Sequence, residues 1–161
     1  MLALVTGASS GIGLQYATQL ARDYHCDLLL VSNQEQELQQ VAAELAQQYG
    51  VKTIAHYADL SQPDAAEQLH AYCHENQLVV DILINNAGVF FFNPYCETSM
   101  KRIELMLQLH MITVAKMTRL FGEDMMKREL TEAASVSMPP SRARKSVTLA
   151  SYLLRSSLMI C

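Results

Sequence analysis

Residues 6–13 read Thr-Gly-Ala-Ser-Ser-Gly-Ile-Gly and join an apolar run to an amphipathic stretch. The residues before them, 2–5, are an uninterrupted Leu-Ala-Leu-Val, which is typical of a short, fully buried strand. From Ile12 onward, apolar side chains recur every four positions at Tyr16 and Leu20, as they do along one face of a helix. The stretch therefore predicts a strand and a helix joined by a glycine-rich turn.

The glycines of this turn suit a bound phosphate group. Gly7 can adopt a tight turn, Gly11 allows a ligand to approach the backbone, and Gly13 allows the helix to pack closely on the strand. The free N–H groups at the start of a helix favour an anion such as a pyrophosphate. The spacing is Gly-x-x-x-Gly-x-Gly rather than Gly-x-Gly-x-x-Gly, so an ordinary strand-to-helix loop is the alternative.

Downstream, strand-like and helix-like segments alternate strictly. Strands are predicted at residues 27–31, 51–58 and 79–84, and helices at residues 35–48 and 64–75. A long helix is predicted over residues 100–128, with a buried stripe of Ile103, Met106, Leu107, His110, Met111, Val114, Met117 and Leu120. Such alternation predicts a Rossmann-like α/β fold, a doubly wound parallel sheet between two helical layers, truncated after about the fourth or fifth strand.

Composition limits the class of protein. With 161 residues, 50% of them hydrophobic, the chain suits one globular domain. The net charge of −4 and the scattered basic residues argue against a nucleic-acid partner. No apolar run approaches membrane-spanning length and no basic leader opens the chain, so we expect neither a membrane span nor a signal peptide. We expect a cytoplasmic protein with reduced thiols at Cys26, Cys73, Cys96 and Cys161.

The sequence changes character after Arg128. Residues 129–161 hold seven serines, against five in residues 1–128, and a Pro-Pro pair followed by basic residues is typical of solvated coil. Residues 129–132 would make a poor strand, although the architecture calls for a fifth strand there. We predict one domain over residues 1–128 and a divergent, poorly ordered tail over residues 129–161.

A second motif carries a family resemblance. Asn85-Asn86-Ala87-Gly88 directly follows the fourth predicted strand, where small residues admit a ribose and Asn side chains can tie neighbouring strands together. With the glycine turn, and with Asp59-Leu60 after the third strand, the chain resembles the short-chain dehydrogenase/reductase family over about residues 1–128. For this motif alone, a plain turn is the alternative.

The resemblance implies a nicotinamide dinucleotide that lies across the carboxyl ends of the first and fourth strands, in an NAD(P)-binding domain. The residues expected to bind it are Thr6, Gly7, Ser9, Ser10, Gly11, Ile12, Gly13, Ser32, Asn33, Asp59, Leu60, Asn86, Ala87 and Gly88. An acid at the end of the second strand would hold the ribose of NAD, and an arginine the extra phosphate of NADP. Ser32 and Asn33 are neither, so we favour NADP and leave NAD open.

The catalytic residues of this family are largely missing here. Family members use a Ser, a Tyr-x-x-x-Lys pair and usually an Asn on the long helix; the Tyr transfers the carbonyl proton and the Lys lowers the pKa of the Tyr. The chain contains no Tyr-x-x-x-Lys. Ser135 is the nearest match to the catalytic Ser, and His110 takes the position of the Asn. Family spacing places Thr148 and Tyr152 where the Tyr and Lys are expected, so the chain as written is expected to be inactive.

A shifted reading frame would explain the tail. Reading one nucleotide earlier across the codons of residues 148–160, codon degeneracy permits a segment that resembles the start of the family's catalytic helix. A tyrosine is also permitted just before it, one residue too close to the lysine. This is a hypothesis about the coding DNA.

Three functions follow as hypotheses. The first is an NAD(P)-dependent oxidoreductase that acts on a carbonyl or alcohol, with this chain carrying mainly the cofactor-binding half. In this hypothesis a longer form of the protein can assemble as a homo-oligomer. The second is a non-catalytic dinucleotide-binding or interaction module. The third is an inactive, truncated product.

Two further groups have open interpretations. Glu67, His70 and His74 share one helical face at metal-ligand spacing, but with no fourth ligand evident we interpret them as a solvated polar face and predict no metal. The apolar residues 89–92, Val-Phe-Phe-Phe, line either a substrate pocket or the core.

Overall fold

The computed structural model describes residues 1–92 and 94–135, and for Tyr95 and residues 129–135 it describes the backbone alone. The strands are β1 (Leu2–Thr6), β2 (Asp27–Ser32), β3 (Thr53–Tyr57) and β4 (Val80–Ile84). The helices are α1 (Gly11–Tyr24), α2 (Glu35–Tyr49), α3 (Ala65–Glu75), α4 (Met100–Leu107) and α5 (Val114–Ser135), with a 3₁₀ turn at Tyr95–Glu97. A π-helical segment, Gln108–Thr113, joins α4 to α5.

The four strands form one parallel sheet in the order β3-β2-β1-β4. One core lies between this sheet and helices α1 and α2, and a second lies between the sheet and helices α3 and α5. The chain moves outward from β1 to β3 and then returns to the other side of β1 with β4, so β1 and β4 flank the topological switch point. The predicted Rossmann-like α/β fold is confirmed.

Small residues bring α1 close to the sheet. Its buried face is Gly13, Ala17 and Ala21, whereas Ile12 is 57% exposed. Of the predicted face, Tyr16 and Leu20 are partly buried against this core, and only Ile12 is wrong. The fully buried positions belong to residues without bulk, which allow the closest contact with the sheet. In α2 the periodicity was sufficient, and Leu38, Val41, Ala42 and Leu45 are all buried.

The predicted long helix is interrupted by the π-helical segment. Its buried residues are Leu109, Thr113, Met117 and Phe121, four positions apart, while Leu107 and Met111 are exposed. Of the predicted stripe, Met117 is buried and Ile103, Met106, Val114 and Leu120 are partly buried, whereas the prediction is wrong for the exposed Leu107, His110 and Met111. A π turn contains more than 3.6 residues, so it changes the face on which each later side chain lies. The hydroxyl of Thr113 donates to the carbonyl of Leu60 at 2.9 Å and fixes this turn against the loop after β3.

The predicted boundary at Arg128 falls inside α5, which continues to Ser135. Residues 129–132, considered as a weak fifth strand, are helical instead. The good helix formers Glu129, Leu130 and Glu132 favour continuation of the preceding helix over a new strand. The rest of the predicted tail, residues 136–161, lies outside the described residues.

The described cysteines are free thiols, with Cys26 and Cys73 buried and Cys96 exposed. Burial raises the pKa of the Cys73 thiol to about 11 and also raises the pKa of Cys26. Within the described residues, no helix is long and apolar enough to cross a lipid bilayer.

Alkylation tests this packing. At mildly alkaline pH, iodoacetamide should label Cys96 rapidly and spare Cys26 and Cys73, because burial blocks access and a raised pKa leaves little reactive thiolate. Peptide mass spectrometry measures each site, with the chain in concentrated guanidinium chloride as the fully labelled control. Equal labelling of Cys73 and Cys96 in native buffer would contradict the described core.

Two methionines of α5 provide a matched stability test. Met117 is fully buried, whereas Met126 is 54% exposed. Met117→Ala should lower the free energy of unfolding by about 2 to 5 kcal/mol, since it leaves a cavity between α5 and the sheet. Met126→Ala should change it by less than about 0.5 kcal/mol. Urea unfolding followed by circular dichroism measures both, and similar losses in the two variants would refute the assignment of the buried face.

Candidate functional site

Thr6, the last residue of β1, links the loops at the switch point. Its hydroxyl is buried, donates to the carbonyl of Ile84 at 3.2 Å, and accepts hydrogen bonds from the backbone N–H groups of Asn86 at 2.9 Å and Ala87 at 3.0 Å. One side chain therefore fixes the end of β4 and the loop after it relative to the start of the glycine turn. Asn85 extends this arrangement, because its amide donates to the Thr118 hydroxyl on α5 at 3.3 Å.

The glycine turn packs against this loop without room for side chains. Gly7 has a φ of 66° and its N–H donates to the carbonyl of Val31 at 2.8 Å. The Asn86 amide donates to the carbonyl of Thr6 at 3.0 Å and also contacts the carbonyl of Gly7. A Cβ atom on Gly13 would lie 2.1 Å from the Gly7 carbonyl oxygen and 2.6 Å from the Asn86 amide nitrogen. Only glycine fits at Gly13.

The start of α1 is exposed at this carboxyl end of the sheet. Gly11, with a φ of 56°, begins the helix, and Ser10, Gly11 and Ile12 are all exposed. Within the described chain, the side chain of Ser10 makes no capping hydrogen bond. An uncapped, exposed first turn leaves backbone N–H groups and the positive end of the helix dipole available to an anion. These residues fit the pyrophosphate of a dinucleotide.

The end of β2 also lies at this carboxyl end of the sheet. The buried Ser32 hydroxyl lies 2.8 Å from that of Ser9 and accepts the Gln34 N–H at 3.1 Å, while Asn33 is exposed. The structure thus brings Ser9 and Ser32 together next to the glycine turn. Residues 32–34 are Ser-Asn-Gln and carry neither an acid nor an arginine.

Asp59 and Leu60 follow β3 on the same side of the sheet. The Asp59 carboxylate accepts hydrogen bonds from the Gln62 side chain at 2.9 Å and from the Ser61 N–H and hydroxyl at 3.0 and 2.7 Å. Hydrogen bonds from Gln62 and then Ser61 lower the pKa of Asp59, so it carries its charge at neutral pH. Leu60 is buried, and its carbonyl is the group that holds Thr113 of the π-helical segment.

His110 lies over the loop after β4. Its Nε2 atom is 2.9 Å from the Val89 carbonyl oxygen and 3.2 Å from the Val89 nitrogen, so either neutral tautomer can bond this backbone. A Cβ atom on Gly88 would meet the imidazole Cε1 atom at 2.5 Å. Sequence spacing correctly predicts that His110 lies on a helix. The sequence pattern contains no signal for the π-helical segment that carries this imidazole.

Two of the aromatic residues after this loop point away from the core. Phe90 and Phe92 are 72% and 93% exposed and contact each other edge to face, with ring centroids 4.8 Å apart. Core packing is therefore the wrong interpretation for these two, whereas Val89 is partly buried against the core between the sheet and α3. Phe91 lies under the guanidinium of Arg102 at 4.8 Å.

The expected catalytic positions are not all described. Ser135 is the last residue of α5 and is described by its backbone alone, while Thr148 and Tyr152 lie outside the described residues. The described part of the site therefore consists of the predicted cofactor-binding residues together with His110.

The chain is similar in sequence to known proteins. Residues 1–141 match the family model described as short chain dehydrogenase. The very-long-chain 3-oxoacyl-CoA reductase of Anas platyrhynchos is 34% identical over 131 residues, which cover 78% of this chain and 41% of that enzyme. Its counterpart from Laccaria bicolor is 38% identical over 87 residues, which cover 53% of this chain and 25% of that enzyme.

Solved structures agree with the fold. The short-chain dehydrogenase from Sphingobium yanoikuyae in complex with NADPH has a TM-score of 0.73 at 30% identity, covering 80% of this chain and 49% of that one. The alcohol dehydrogenase from Thermococcus sibiricus complexed with 5-hydroxy-NADP has the same score and identity, covering 80% of this chain and 54% of that one. This chain thus spans about half the length of these structures and less of the two reductases, and it belongs to the short-chain dehydrogenase/reductase family.

Proposed function

We propose that the chain binds NADP(H) along the carboxyl edge of its sheet and forms the cofactor-binding half of an NAD(P)-dependent oxidoreductase. The contact between Gly13, the Gly7 carbonyl and the Asn86 amide carries this proposal, because it holds the uncapped start of α1 beside the loop after β4. A dinucleotide needs both: an anion site for its pyrophosphate, and a surface without side chains for its sugars.

Each part of the edge has a role in this proposal. The first turn of α1 binds the pyrophosphate, while Ser9, Ser32 and Asn33 face the adenosine ribose. Asp59 and Leu60 contact the adenine, and residues 86–88 contact the second ribose. When bound, the nicotinamide supplies the hydride that the reaction transfers. The residues of this chain bind and orient that cofactor.

The absence of an acid among residues 32–34 favours NADP over NAD, since a carboxylate there would repel the extra phosphate. The Sphingobium yanoikuyae and Thermococcus sibiricus structures, which are complexes with NADPH and 5-hydroxy-NADP, support the same choice.

The substrate of the whole enzyme is proposed to be a carbonyl or the corresponding alcohol. The name of the Anas platyrhynchos relative, a 3-oxoacyl-CoA reductase, supports a ketone. Phe90 and Phe92 support an apolar group on that substrate, because both are exposed directly after the loop that would hold the nicotinamide end.

A non-catalytic binding module is the second candidate, and the lack of any Tyr-x-x-x-Lys favours it for the chain as written.

We further propose a cytoplasmic location, supported by the free thiols. The exposed Leu107, Met111 and Ile112 support self-association of a longer form.

A pair of Gly→Ala variants tests cofactor binding. In Gly13→Ala, the new methyl group would collide with the Gly7 carbonyl, and NADPH affinity should fall at least about tenfold, or ~1.4 kcal/mol. Gly122→Ala, inside α5 with no atom within 4 Å of the added Cβ, should leave the affinity unchanged. NADPH fluorescence titration measures both, with NADH as the weaker ligand. Equal affinity in folded Gly13→Ala and wild-type chains would refute the site.

Ser10→Asp extends the test if Gly13→Ala does not fold. Aspartate is a favourable N-cap residue, so the fold should be kept or stabilised, while the added negative charge repels a pyrophosphate at the same helix end. Weaker NADPH binding is expected. Unchanged binding in this variant would show that the start of α1 does not contact the phosphates.

Turnover distinguishes the two candidate functions. Loss of the Tyr general acid alone costs about 10² to 10⁴ in rate, so the 161-residue chain should consume no NADPH above background with a panel of aldehydes and ketones. A full-length chain read in the alternative frame across the tail should show turnover in the same absorbance assay. Clear turnover by the 161-residue chain would contradict this account, and coding DNA without such an open frame would exclude its explanation.

A further inference from the structure

Two histidines of α3 and one aspartate of α5 meet away from the cofactor edge. His70 and His74 are one helical turn apart, and the Nε2 atom of each lies 2.8 Å from the Oδ2 atom of Asp124. The two Nε2 atoms are 3.2 Å from each other. Sequence analysis grouped these histidines with Glu67, but Glu67 pairs with Lys116 at 2.6 Å, and Asp124 takes the third position instead.

The three atoms lie slightly closer together than ligands around a small cation do. Zinc binds imidazole nitrogen and carboxylate oxygen at about 2.0 to 2.1 Å in a tetrahedron, which places neighbouring ligand atoms about 3.3 Å apart. The three observed separations are 2.8, 2.8 and 3.2 Å, so an outward movement of a few tenths of an ångström would admit the ion. Three protein ligands leave a fourth position for water.

The surroundings hold the ligands in place. The ring of His70 packs edge to face on Phe121, with centroids 5.1 Å apart at 88°, and Phe121 is buried one turn before Asp124. The side chain of His74 is 61% exposed, so the cluster is open to solvent on one side. His70 is packed on the inner side of the cluster and His74 is exposed on the outer side, so an ion can enter from solvent.

Asp124 contributes the carboxylate of the cluster, with its Oδ2 atom 2.8 Å from the Nε2 atom of each histidine. Arg128 lines the same cleft and has partners of its own, because its guanidinium donates to the Val80 carbonyl at 2.5 Å and lies 3.8 Å from Asp81.

We propose that His70, His74 and Asp124 bind one divalent transition-metal ion, with Zn²⁺ as the best fit to two imidazoles and a carboxylate. The cleft also contains Leu78, Val79 and Val80, at the amino end of β4, so the site lies at the opposite end of this strand from Asn86. The ion links α3 to α5 and stabilises their packing. This inference does not depend on cofactor binding.

Metal titration of an untagged 161-residue chain tests the proposal. Cys96 and Cys161 are replaced by serine in all samples so that neither thiol can bind the ion. Calorimetry near neutral pH should give one Zn²⁺ per chain, Co²⁺ should produce visible ligand-field bands of low coordination number, and Mg²⁺, which prefers oxygen ligands, should not compete. Zn²⁺ should also raise the melting temperature, because it binds only the folded chain.

Matched variants identify the ligands. His74→Gln and Asp124→Asn should each weaken Zn²⁺ binding at least about tenfold and abolish the Co²⁺ bands. Glu67→Gln, on the same face of α3, and His25→Asn, an exposed histidine with a φ of 50° that asparagine tolerates, should bind as the parent does. Circular dichroism verifies the fold of each variant. Absence of Zn²⁺ binding by the parent chain, or equal binding by His74→Gln, would overturn the proposal.

Discussion

The closeness of Gly13 to the Gly7 carbonyl is the constraint on which the rest of the structure depends. The backbone of α1 can approach the end of β1 only because no side chain stands between them. The buried stripe of Gly13, Ala17 and Ala21 continues this approach along the helix. Thr6 then joins the same point to the end of β4 through one hydrogen bond and to the loop after β4 through two more.

Local sequence patterns were sufficient for the fold, but less so for the packing of individual faces. The alternation of strands and helices fixed the parallel sheet, and the α2 face was correct because its periodicity is undisturbed by a turn or a bulge. On α1 only Ile12 is misplaced, because Gly13, which the sequence pattern assigns to the turn, is the buried residue at the start of the helix. The stripe of the long helix is wrong at Leu107, His110 and Met111, beside or within the π-helical segment that changes the phase. Thr113 of that segment bonds to Leu60, 53 residues away, a contact that local periodicity does not contain.

The two candidate sites show the same limit. The candidate cofactor site can be predicted from the sequence because each of its two motifs lies within a single turn. The meeting of His74 with Asp124 spans 50 residues and depends on how α3 packs on α5, which no local pattern reports. The histidines alone at metal-ligand spacing therefore gave no metal prediction, and their apparent partner Glu67 proved to belong to Lys116.

Amide chemical shifts measure the central claim, that the glycine turn and the loop after β4 form one dinucleotide site. In ¹⁵N spectra of the 18.0 kDa chain, NADPH should shift the signals of Gly7, Gly11, Gly13, Ala87 and Gly88 and leave those of the α3–α5 cleft in place. Spectra unchanged at saturating NADPH, or shifts confined to residues away from the carboxyl edge of the sheet, would contradict the account.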